Sequence, residues 1–430
     1  MRACFDALIV GAGPAGATAA TLLARAGWSV ALVEKQAFPR RKVCGECIAS
    51  SNFGLLDALG VGAAFETVAG PELRRLLLWH AGTQVGAPLP PAPGATQRYG
   101  RALGRETLDV LLLEQARKVG AELLQPASVH AIEGGPGDWR CTLRMSGGGP
   151  APVLRSRCII AAHGSWEALP GERARRRSRR RPSDLFAFKA NFEAAAIAAG
   201  DLAVLGFAGG YGGMVQAEAG ITTVACCIRR DRLDALRRGA PSQSAGDVVQ
   251  AMLEREVGAL GAALHGARRD GAWLAAGPID PGMRLRGDDR ILRIGNAAGE
   301  AHPILGEGMS MAMQSAWLLA AQLIAGTAPG AAPPAAVAQH YAARWRREFA
   351  PRLALAAGMA HLAMRPAGAS AMTALARHWP SLLVHGARWG GKLHCAVDAG
   401  TIAAYAVGTS TSPMPSPPTR PHSAQPAQTP

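Results

Sequence analysis

The first part of the chain shows apolar runs and helical periodicities in turn, which predicts short buried strands separated by helices. The clearest helix is at residues 105–119, where Leu108, Leu111 and Leu112 share one face. The proline- and glycine-rich residues 86–100 favour a connection. Strands that alternate with helices are typical of an α/β fold. The pattern predicts helices at 15–26 and 51–59, and strands at 8–10, 29–33, 74–79, 121–132, 139–145 and 153–162.

The pattern changes after residue 184, where strand-like runs follow one another without long helices between them. This succession favours one antiparallel sheet, with strands at 185–192, 202–207, 213–218 and 221–229. Later residues predict helices at 245–260 and 309–324, a short buried strand at 290–294, and a long helix at 334–363 that is broken or kinked near Pro351. Serine, proline and threonine dominate residues 409–430, which we expect to be a disordered tail.

A glycine-rich loop connects the first predicted strand to the first predicted helix. Gly11, Gly13 and Gly16 form G-x-G-x-x-G, in which the first glycine allows a tight turn and the second allows close approach to a pyrophosphate. The third lets the helix pack closely on the strand, and the helix start at Pro14 and Ala15 presents N–H groups to phosphate. The sequence therefore predicts a dinucleotide site, with the choice between FAD and NAD left open by this stretch.

An acidic residue, Glu34, ends the second predicted strand. Its carboxylate is suited to accept hydrogen bonds from both hydroxyls of an adenosine ribose. A 2′-phosphate at the same place would meet a like charge. This position therefore disfavours NADP as the nucleotide bound by the glycine loop.

The composition allows a large core and indicates an excess of positive charge. The chain has 430 residues, a hydrophobic fraction of 49% and a formal net charge of +15, and part of the charge is concentrated at 173–181. This arginine-rich run suits either an anionic partner or a solvated loop. We favour the solvated loop and expect no nucleic-acid partner, because no aromatic residues alternate with the arginines.

The cysteines and the apolar stretches bear on the expected location. The eight cysteines are scattered, several of them in strand-like runs, which suits buried free thiols in a reducing compartment. No signal peptide is visible, because the N-terminal apolar run is itself the predicted strand. The longest apolar stretch, 309–324, contains Ser310, Gln314 and Ser315 and predicts a buried helix rather than a membrane span. We expect a soluble cytoplasmic protein and leave peripheral membrane contact open.

A second glycine-containing motif lies at residues 290–316. It consists of a strand, the sequence Gly-Asn-Ala-Ala, a proline, and a Gly-Glu-Gly turn before a helix. This order resembles the second FAD motif of flavoproteins with the p-hydroxybenzoate hydroxylase type of fold, where the position of Asn296 is an aspartate. The resemblance implies contacts with the ribityl chain and the flavin ring by Gly295, Asn296, Gly306, Gly308 and Met309.

Two further positions extend the resemblance to this family. Arg105 and Leu108 resemble its R-x-x-L motif, which implies that Arg105 lies against FAD; the alternative is a surface arginine in a first helical turn. Val129 matches the position whose backbone meets the adenine in the family. The three motifs occur in the family's order and cover residues 5–330.

The basic loop after Glu34 resembles one branch of the family. Lys42-Val43-Cys44-Gly45 is similar to the K-x-C-G loop of geranylgeranyl reductase-like proteins, which lies near the isoalloxazine. Hydroxylases of this fold usually carry Asp-Gly where this chain has His163-Gly164, which also favours the reductase branch. We include Lys35, Arg41 and Cys44 among the candidate cofactor-binding residues.

Cys44 and Cys47 form a C-x-x-C pair. A redox dithiol would need a thiolate with a low pKa, which the neighbouring basic residues favour. A zinc site would need two further ligands, and the sequence shows none at a suitable spacing. We interpret Cys44 as a loop residue of the family and Cys47 as incidental, and we predict no metal.

The resemblance implies an α/β (α+β mixed) architecture, in which a Rossmann-like FAD-binding domain is interleaved with an antiparallel-sheet substrate domain. The FAD-binding parts are expected at 1–72, 105–182 and 281–330, and the substrate domain at 73–104 and 183–280. Residues 331–408 are expected to form C-terminal helices.

The expected function is that of an FAD-dependent oxidoreductase of the dehydrogenase or reductase type. Its substrate would be a small apolar organic molecule such as an isoprenoid or polyketide, with hydride transfer through flavin N5. The electron donor, NAD(P)H or another, is undetermined. Alternatives are a monooxygenase acting on an aromatic polyketide or phenol, and a non-enzymatic flavoprotein or anion-binding adaptor. Candidate pocket residues are Tyr211 and Met214, in a glycine-rich segment expected to form a tight loop, and His302; no catalytic residue is assigned.

Overall fold

The computed structural model describes residues 4–92, 98–147, 151–165, 167–171, 180–286 and 290–388. The strands are, in chain order, β1 Phe5–Val10, β2 Val30–Val33, β3 Cys47–Ile48, β4 Arg75–His80, β5 Thr83–Pro88, β6 Arg101–Ala102, β7 Glu122–Leu124, β8 Ala127–Gly135, β9 Asp138–Met145, β10 Val153–Ala161, β11 Leu185–Glu193, β12 Asp201–Phe207, β13 Gly210–Gln216, β14 Thr222–Arg229, β15 Arg268–Ile279, β16 Gly282–Met283, β17 Leu292–Arg293 and β18 Gly299–Glu300. The α-helices are α1 Pro14–Arg25, α2 Phe53–Leu59, α3 Gly62–Val68, α4 Arg105–Lys118, α5 Arg230–Gly239, α6 Ala245–Glu256, α7 Gly258–Leu264, α8 Gly308–Gly326, α9 Ala335–Ala363, α10 Pro366–His378 and α11 Ser381–Ala387.

The first large sheet has the strand order β7-β2-β1-β10-β9-β8, with β17 also paired to β10. The pairs β1–β2, β1–β10, β2–β7 and β10–β17 are parallel, whereas β9 runs antiparallel to β8 and β10. The carboxyl ends of β1, β2 and β10 therefore meet at one edge of the sheet. In open α/β sheets this edge is where ligands bind.

The second large sheet has the strand order β15-β11-β14-β13-β12-β4-β5. Its pairs are antiparallel except for β4 and β12, which run parallel to each other. The hairpin β4–β5 thus joins strands that follow it by more than a hundred residues. Strands from two separate parts of the sequence, residues 75–88 and 185–279, therefore form one sheet.

Two hydrophobic cores support these sheets. The larger packs the parallel sheet against α1, α4, α8 and α9, and it includes the buried side chains of Trp317, Tyr341 and Trp345. The smaller packs the second sheet against α6 and α7. Local signals also set helix ends: Ser244 Oγ accepts the Asp247 N–H at the start of α6, and Gly60 ends α2 in the left-handed region at φ +78°.

The mixed α/β fold with C-terminal helices confirms the expected fold class, and several local expectations are wrong. Of the connection expected at 86–100, residues 86–88 belong to β5, and residues 121–132 form parts of two strands, because Gln125-Pro126 interrupts them. The helix expected at 245–260 is broken at Val257, and β15 was not foreseen. Helix α9 continues through Pro351 and is not broken there, whereas a kink at this residue stays a prediction.

Two expectations fall largely outside the part of the chain that the structure describes. These are the arginine-rich run, of which residues 172–179 lie outside, and the tail at 409–430. The domain boundaries stay predictions. Among the described helices, none is both long enough and apolar enough to cross a bilayer.

Candidate functional site

The glycine loop after β1 is possible only because its positions lack side chains. A Cβ at Gly16 would lie 1.8 Å from the carbonyl oxygen of Gly11, and a Cβ at Gly11 would lie 2.5 Å from that of Ala162. Gly11 also has φ +105°, which favours glycine. The loop therefore brings the start of α1 directly onto the carboxyl edge of the parallel sheet, where the helix presents N–H groups to a ligand.

Glu34 lies at the end of β2 with only 5% of its surface exposed. Its two carboxylate oxygens accept the N–H groups of Ala12 and Gln36, each at 2.9 Å. Arg40 Nη2 lies 3.4 Å from Glu34 Oε2. The acid at the strand end is thus fixed beside the glycine loop, where its remaining lone pairs can accept ligand hydroxyls.

A cluster of cations, Arg40, Lys42 and Arg105, faces the same cavity. Arg105 begins α4, and its Nε and Nη2 both donate to Asp109 at 2.7 Å. Burial, together with the nearby charges of Arg40 and Arg105, lowers the pKa of Lys42 to about 8. An anion bound here would offset the mutual repulsion of these cations, so the cluster is suited to a diphosphate. Arg40 and Lys42 were not among the candidate site residues, although Lys42 belongs to the K-x-C-G motif.

The second glycine motif lies beside the first and lines the same cavity. Gly295 has φ +57°, its N–H donates to Ser315 Oγ at 2.7 Å, and a Cβ there would lie 2.9 Å from that of Ala15. Asn296 Nδ2 donates to Ser165 Oγ at 2.9 Å. Gly306, at φ +65°, turns the chain into α8, which begins at Gly308. Both glycine motifs therefore pack against α1 and bound one cavity.

The Cys44 loop is anchored by Glu46, which the sequence did not indicate. Glu46 has φ +59° and is 2% exposed. Its Oε1 accepts from Lys189 Nζ on β11 and from the Arg105 N–H at 3.1 Å, and its Oε2 accepts from Thr223 Oγ1 at 2.5 Å. This buried network joins the loop to the second sheet.

Cys44 is not set up as a redox thiolate. Burial raises the pKa of the Cys44 thiol, even though Arg105 acts in the opposite direction. Cys44 Sγ accepts the Glu46 N–H at 3.4 Å. Within the described ranges, no cluster of three or more histidine, cysteine, aspartate or glutamate residues is arranged to bind a metal.

Tyr211 and Met214 lie on strand β13, not in the tight loop that the glycines suggested. The glycines around them mark close approach within the sheet, since a Cβ at Gly212 would lie 2.7 Å from the Ala225 carbonyl oxygen. Tyr211 Oη hydrogen-bonds His302 Nδ1 at 2.5 Å. Burial raises the pKa of Tyr211 and lowers that of His302 to about 4, so both groups are neutral near pH 7.

One cavity of about 870 Å³ connects these features. Its volume is near the upper end of typical ligand sites, about 300–1,000 Å³. Beyond the glycine motifs its wall is apolar, formed by the second sheet and by α9, α10 and α11. The candidate residues that line it are Gly11, Gly13, Pro14, Ala15, Glu34, Lys35, Arg41, Cys44, Arg105, Val129, Tyr211, Met214, Gly295, Asn296, Gly306, Gly308 and Met309.

Three candidate residues, Gly16, His302 and Arg41, are engaged by other parts of the protein. Gly16 lies beneath the glycine loop and permits its packing. His302 contacts Tyr211. Arg41 lines the cavity, but its guanidinium is engaged by Glu106 at 3.2 Å and Asp270 at 2.7 Å. Arg41 therefore ties the basic loop to α4 and β15.

Parts of this chain are similar to proteins of known description. A stretch of 353 residues is 26% identical to conditioned medium factor receptor 1 of Dictyostelium discoideum and covers 74% of this chain and 63% of that protein. A stretch of 127 residues is 33% identical to the menaquinone reductase of Mycobacterium tuberculosis and covers 30% of each. The chain thus spans less than two thirds of the first relative and under a third of the second.

A solved structure extends the likeness to nearly the whole chain. The myxobacterial chondrochloren halogenase CndH, an FAD-dependent halogenase, matches with a TM-score of 0.70 at 18% identity over 96% of this chain and 98% of that chain. At this identity the match shows a shared fold.

A protein-family model also matches this chain, over a range that includes cavity-lining residues. The model of the FAD binding domain family matches residues 5–350, a range that contains both glycine motifs, Glu34 and Arg105. It confirms the prediction that the cofactor is FAD. The chain therefore belongs to the FAD binding domain family.

Proposed function

We propose that this protein is a dehydrogenase- or reductase-type enzyme acting on an elongated apolar molecule, such as an isoprenoid or polyketide. The observation that carries the proposal is the lining of the cavity: besides the FAD motifs, it includes an apolar end formed by the second sheet and the C-terminal helices. Leu76, Val204 and Met214 form part of one wall of this end, and Met359 and Met372 form part of the other. A chain of methylene or isoprene units would be stabilised there by loss of water contact.

The residues around the glycine loops would hold the cofactor. We assign the diphosphate to the α1 N-terminus and the cations Arg40, Lys42 and Arg105, and the adenosine ribose to Glu34, because all of them line one cavity. When bound, FAD supplies hydride chemistry between its N5 and a substrate carbon. This assignment agrees with the lowered pKa of Lys42, because a bound diphosphate would stabilise its charged form.

Tyr211 is the group best placed to hold or deliver a proton. Tyr211 lines the cavity, and the hydrogen bond from its hydroxyl to His302 Nδ1 fixes the position of that hydroxyl. Because burial raises the pKa of Tyr211, its hydroxyl is protonated near pH 7 and can donate its proton to a substrate atom. We propose that Tyr211 orients a polar substrate group or donates a proton to it.

The deciding experiment combines product mass with a panel of apolar substrates. The FAD-loaded protein is reduced with NADH, NADPH or dithionite and incubated anaerobically with prenylated quinones, geranylgeranyl compounds and long-chain alkylphenols. A product heavier by two hydrogens supports the reductase assignment. In a parallel incubation in air, a product that gains one oxygen would assign monooxygenation instead, and replacement of a hydrogen by chlorine or bromine from added halide, with oxygen as the oxidant, would assign halogenation. Turnover of none of them would favour a non-enzymatic flavoprotein.

A pair of glycine variants tests the role of the apolar end. Gly386 in α11 lines the cavity, and the nearest atom to a Cβ there would be Met359 Cε at 3.9 Å, so Gly386→Phe places a ring toward this end. Gly358 in α9 has nothing within 4 Å of its Cβ position and does not line the cavity, so Gly358→Phe is the control. We expect Gly386→Phe to raise KM for long substrates more than for short ones, with the FAD content unchanged. Equal KM values in the two variants would contradict the assignment.

A further inference from the structure

The C-terminal helices carry an unusual concentration of exposed apolar side chains. Of the seven large hydrophobic residues that are exposed in the described ranges, four lie within residues 362–382. They are Leu362, Leu375, Trp379 and Leu382, with exposed fractions from 41% to 53%. Exposed apolar groups that cluster in this way mark interaction sites more often than scattered ones do.

Two of these side chains also belong to the wall of the cavity. Leu375 and Leu382 line the apolar end and are nevertheless 47% and 41% exposed, so they lie at its rim. Trp379 lies between them in the sequence, and its backbone N–H and C=O hydrogen-bond the backbone of Leu375 and Leu382 at 2.8 Å and 3.0 Å. The exposed patch and the mouth of the cavity are therefore one place on the molecule.

The C-terminal helices that form this rim carry charges of a single sign. Residues 349–388 contain four arginines and three histidines, but no aspartate or glutamate. Arg365, Arg377 and Arg388 are exposed, whereas Arg352 is buried. For Arg365 and Arg377, no ion pair occurs within the part of the chain that the structure describes. An apolar rim flanked by arginines is complementary to an anionic bilayer surface, where tryptophan is also favoured.

We propose that α10 and α11 dock this protein onto anionic phospholipid membranes, with Trp379 and Leu382 entering the headgroup region and Arg365 and Arg377 contacting lipid phosphates. The occupant of the patch is thus a lipid surface rather than a protein partner. In this position the cavity mouth opens toward the bilayer, so an apolar substrate can pass from membrane to cavity without crossing water. The role of the mouth in substrate entry rests on the proposed function; the docking itself does not.

Vesicle co-sedimentation of the full-length, FAD-loaded protein tests the docking. Vesicles of phosphatidylcholine alone are compared with vesicles that also contain phosphatidylglycerol, and flavin absorbance reports the holoenzyme in pellet and supernatant. We expect binding to the anionic vesicles that weakens as salt is raised. We expect Arg365→Gln and Arg377→Gln each to weaken partitioning about fivefold, as for one basic residue near an anionic surface. Trp379→Gln should also weaken it.

Arg237→Gln with Arg238→Gln is the matched control, because these exposed arginines in α5 carry the same charge but lie in a different helix. The control pair should leave partitioning within about twofold of the unmodified protein. An equal loss in the control pair, or binding unaffected by Trp379→Gln, would overturn the proposal in favour of general charge attraction. Absence of binding would also overturn the proposal. Binding that appears only after residues 389–430 are removed would overturn it as well, because it would mean that this segment covers the patch.

A second protein as occupant is also an outcome of the test. Self-association that is lost in Trp379→Gln, without vesicle binding, would assign the patch to a contact between copies of this chain and overturn membrane docking. The outcomes remain separate from those of the proposed function, since sedimentation measures no turnover. Vesicle binding without activity on apolar substrates would contradict only the proposed function.

Discussion

Replacement of Lys189 by methionine should destabilise the protein far more than loss of an ordinary ion pair. The side chains of Lys189 and Glu46 are only 2% and 1% exposed. Lys189→Met leaves the Glu46 carboxylate buried with the Thr223 hydroxyl and the Arg105 N–H but without its cation. Breaking a buried pair in this way costs about 3–5 kcal/mol, a large part of a typical unfolding free energy of about 5–15 kcal/mol.

The measurement is urea unfolding of the FAD-loaded protein, followed by circular dichroism and by flavin fluorescence. Arg268→Met is the matched control. Arg268 pairs with Glu193, which lies on β11 as Lys189 does, and the side chains of Arg268 and Glu193 are 74% and 39% exposed. This exposed pair should contribute no more than about 1 kcal/mol. The double variant Glu46→Gln/Lys189→Met should recover part of the loss, since no unpaired charge remains buried. A loss below about 1 kcal/mol in Lys189→Met would refute the reasoning.

Three other predictions follow from packing and burial. Gly16→Ala would place a Cβ 1.8 Å from the Gly11 carbonyl oxygen, so we expect a much lower ratio of flavin to protein absorbance after purification; Gly258→Ala, with nothing within 4 Å, should keep the ratio unchanged. Burial lowers the pKa of His302 from 6.5 to about 4. As the pH falls, the unfolded chain therefore takes up a proton at this residue before the folded protein does. The unfolding free energy should fall by about 2 kcal/mol between about pH 7 and pH 5. His302→Gln should remove that part of the slope, and an unchanged slope would show that another group is responsible. Burial also raises the pKa of Cys158 to about 12, so iodoacetamide should leave it unmodified in the native protein at neutral pH, as read by peptide mass spectrometry; modification as fast as in urea would contradict its burial.

The local part of the FAD site could be predicted from the sequence, because its requirements are local. Gly11 adopts φ +105°, Gly16 meets the Gly11 carbonyl oxygen five residues away, and Glu34 follows its strand directly. Such requirements leave a fixed spacing in the sequence. The same holds for α4, whose apolar face matches the helical period.

The contacts between distant segments could not be predicted in this way. Glu46 meets Lys189 across 143 residues, and neither position carries a pattern that would indicate the other. The prediction of a tight loop around Tyr211 is wrong, because glycine marks both turns and close approach within a sheet. A Cβ at Gly210 would lie 2.4 Å from the Cys227 carbonyl oxygen, which only the folded sheet reveals. The exposed rim at Trp379 depends in the same way on how α10 and α11 pack.

The parallel pairing of β4 with β12 constrains the order in which the protein can form during synthesis. β4 ends at His80, but its partner is complete only at Phe207. At translation rates of about 5–20 residues per second, roughly ten seconds pass between synthesis of the hairpin β4–β5 and completion of its neighbour β12. The parallel sheet is completed later in synthesis, because β10 also pairs with β17, which ends at Arg293. The nascent chain therefore presents an unpaired strand edge over this interval, and chaperones that bind extended apolar segments have their best opportunity to act there.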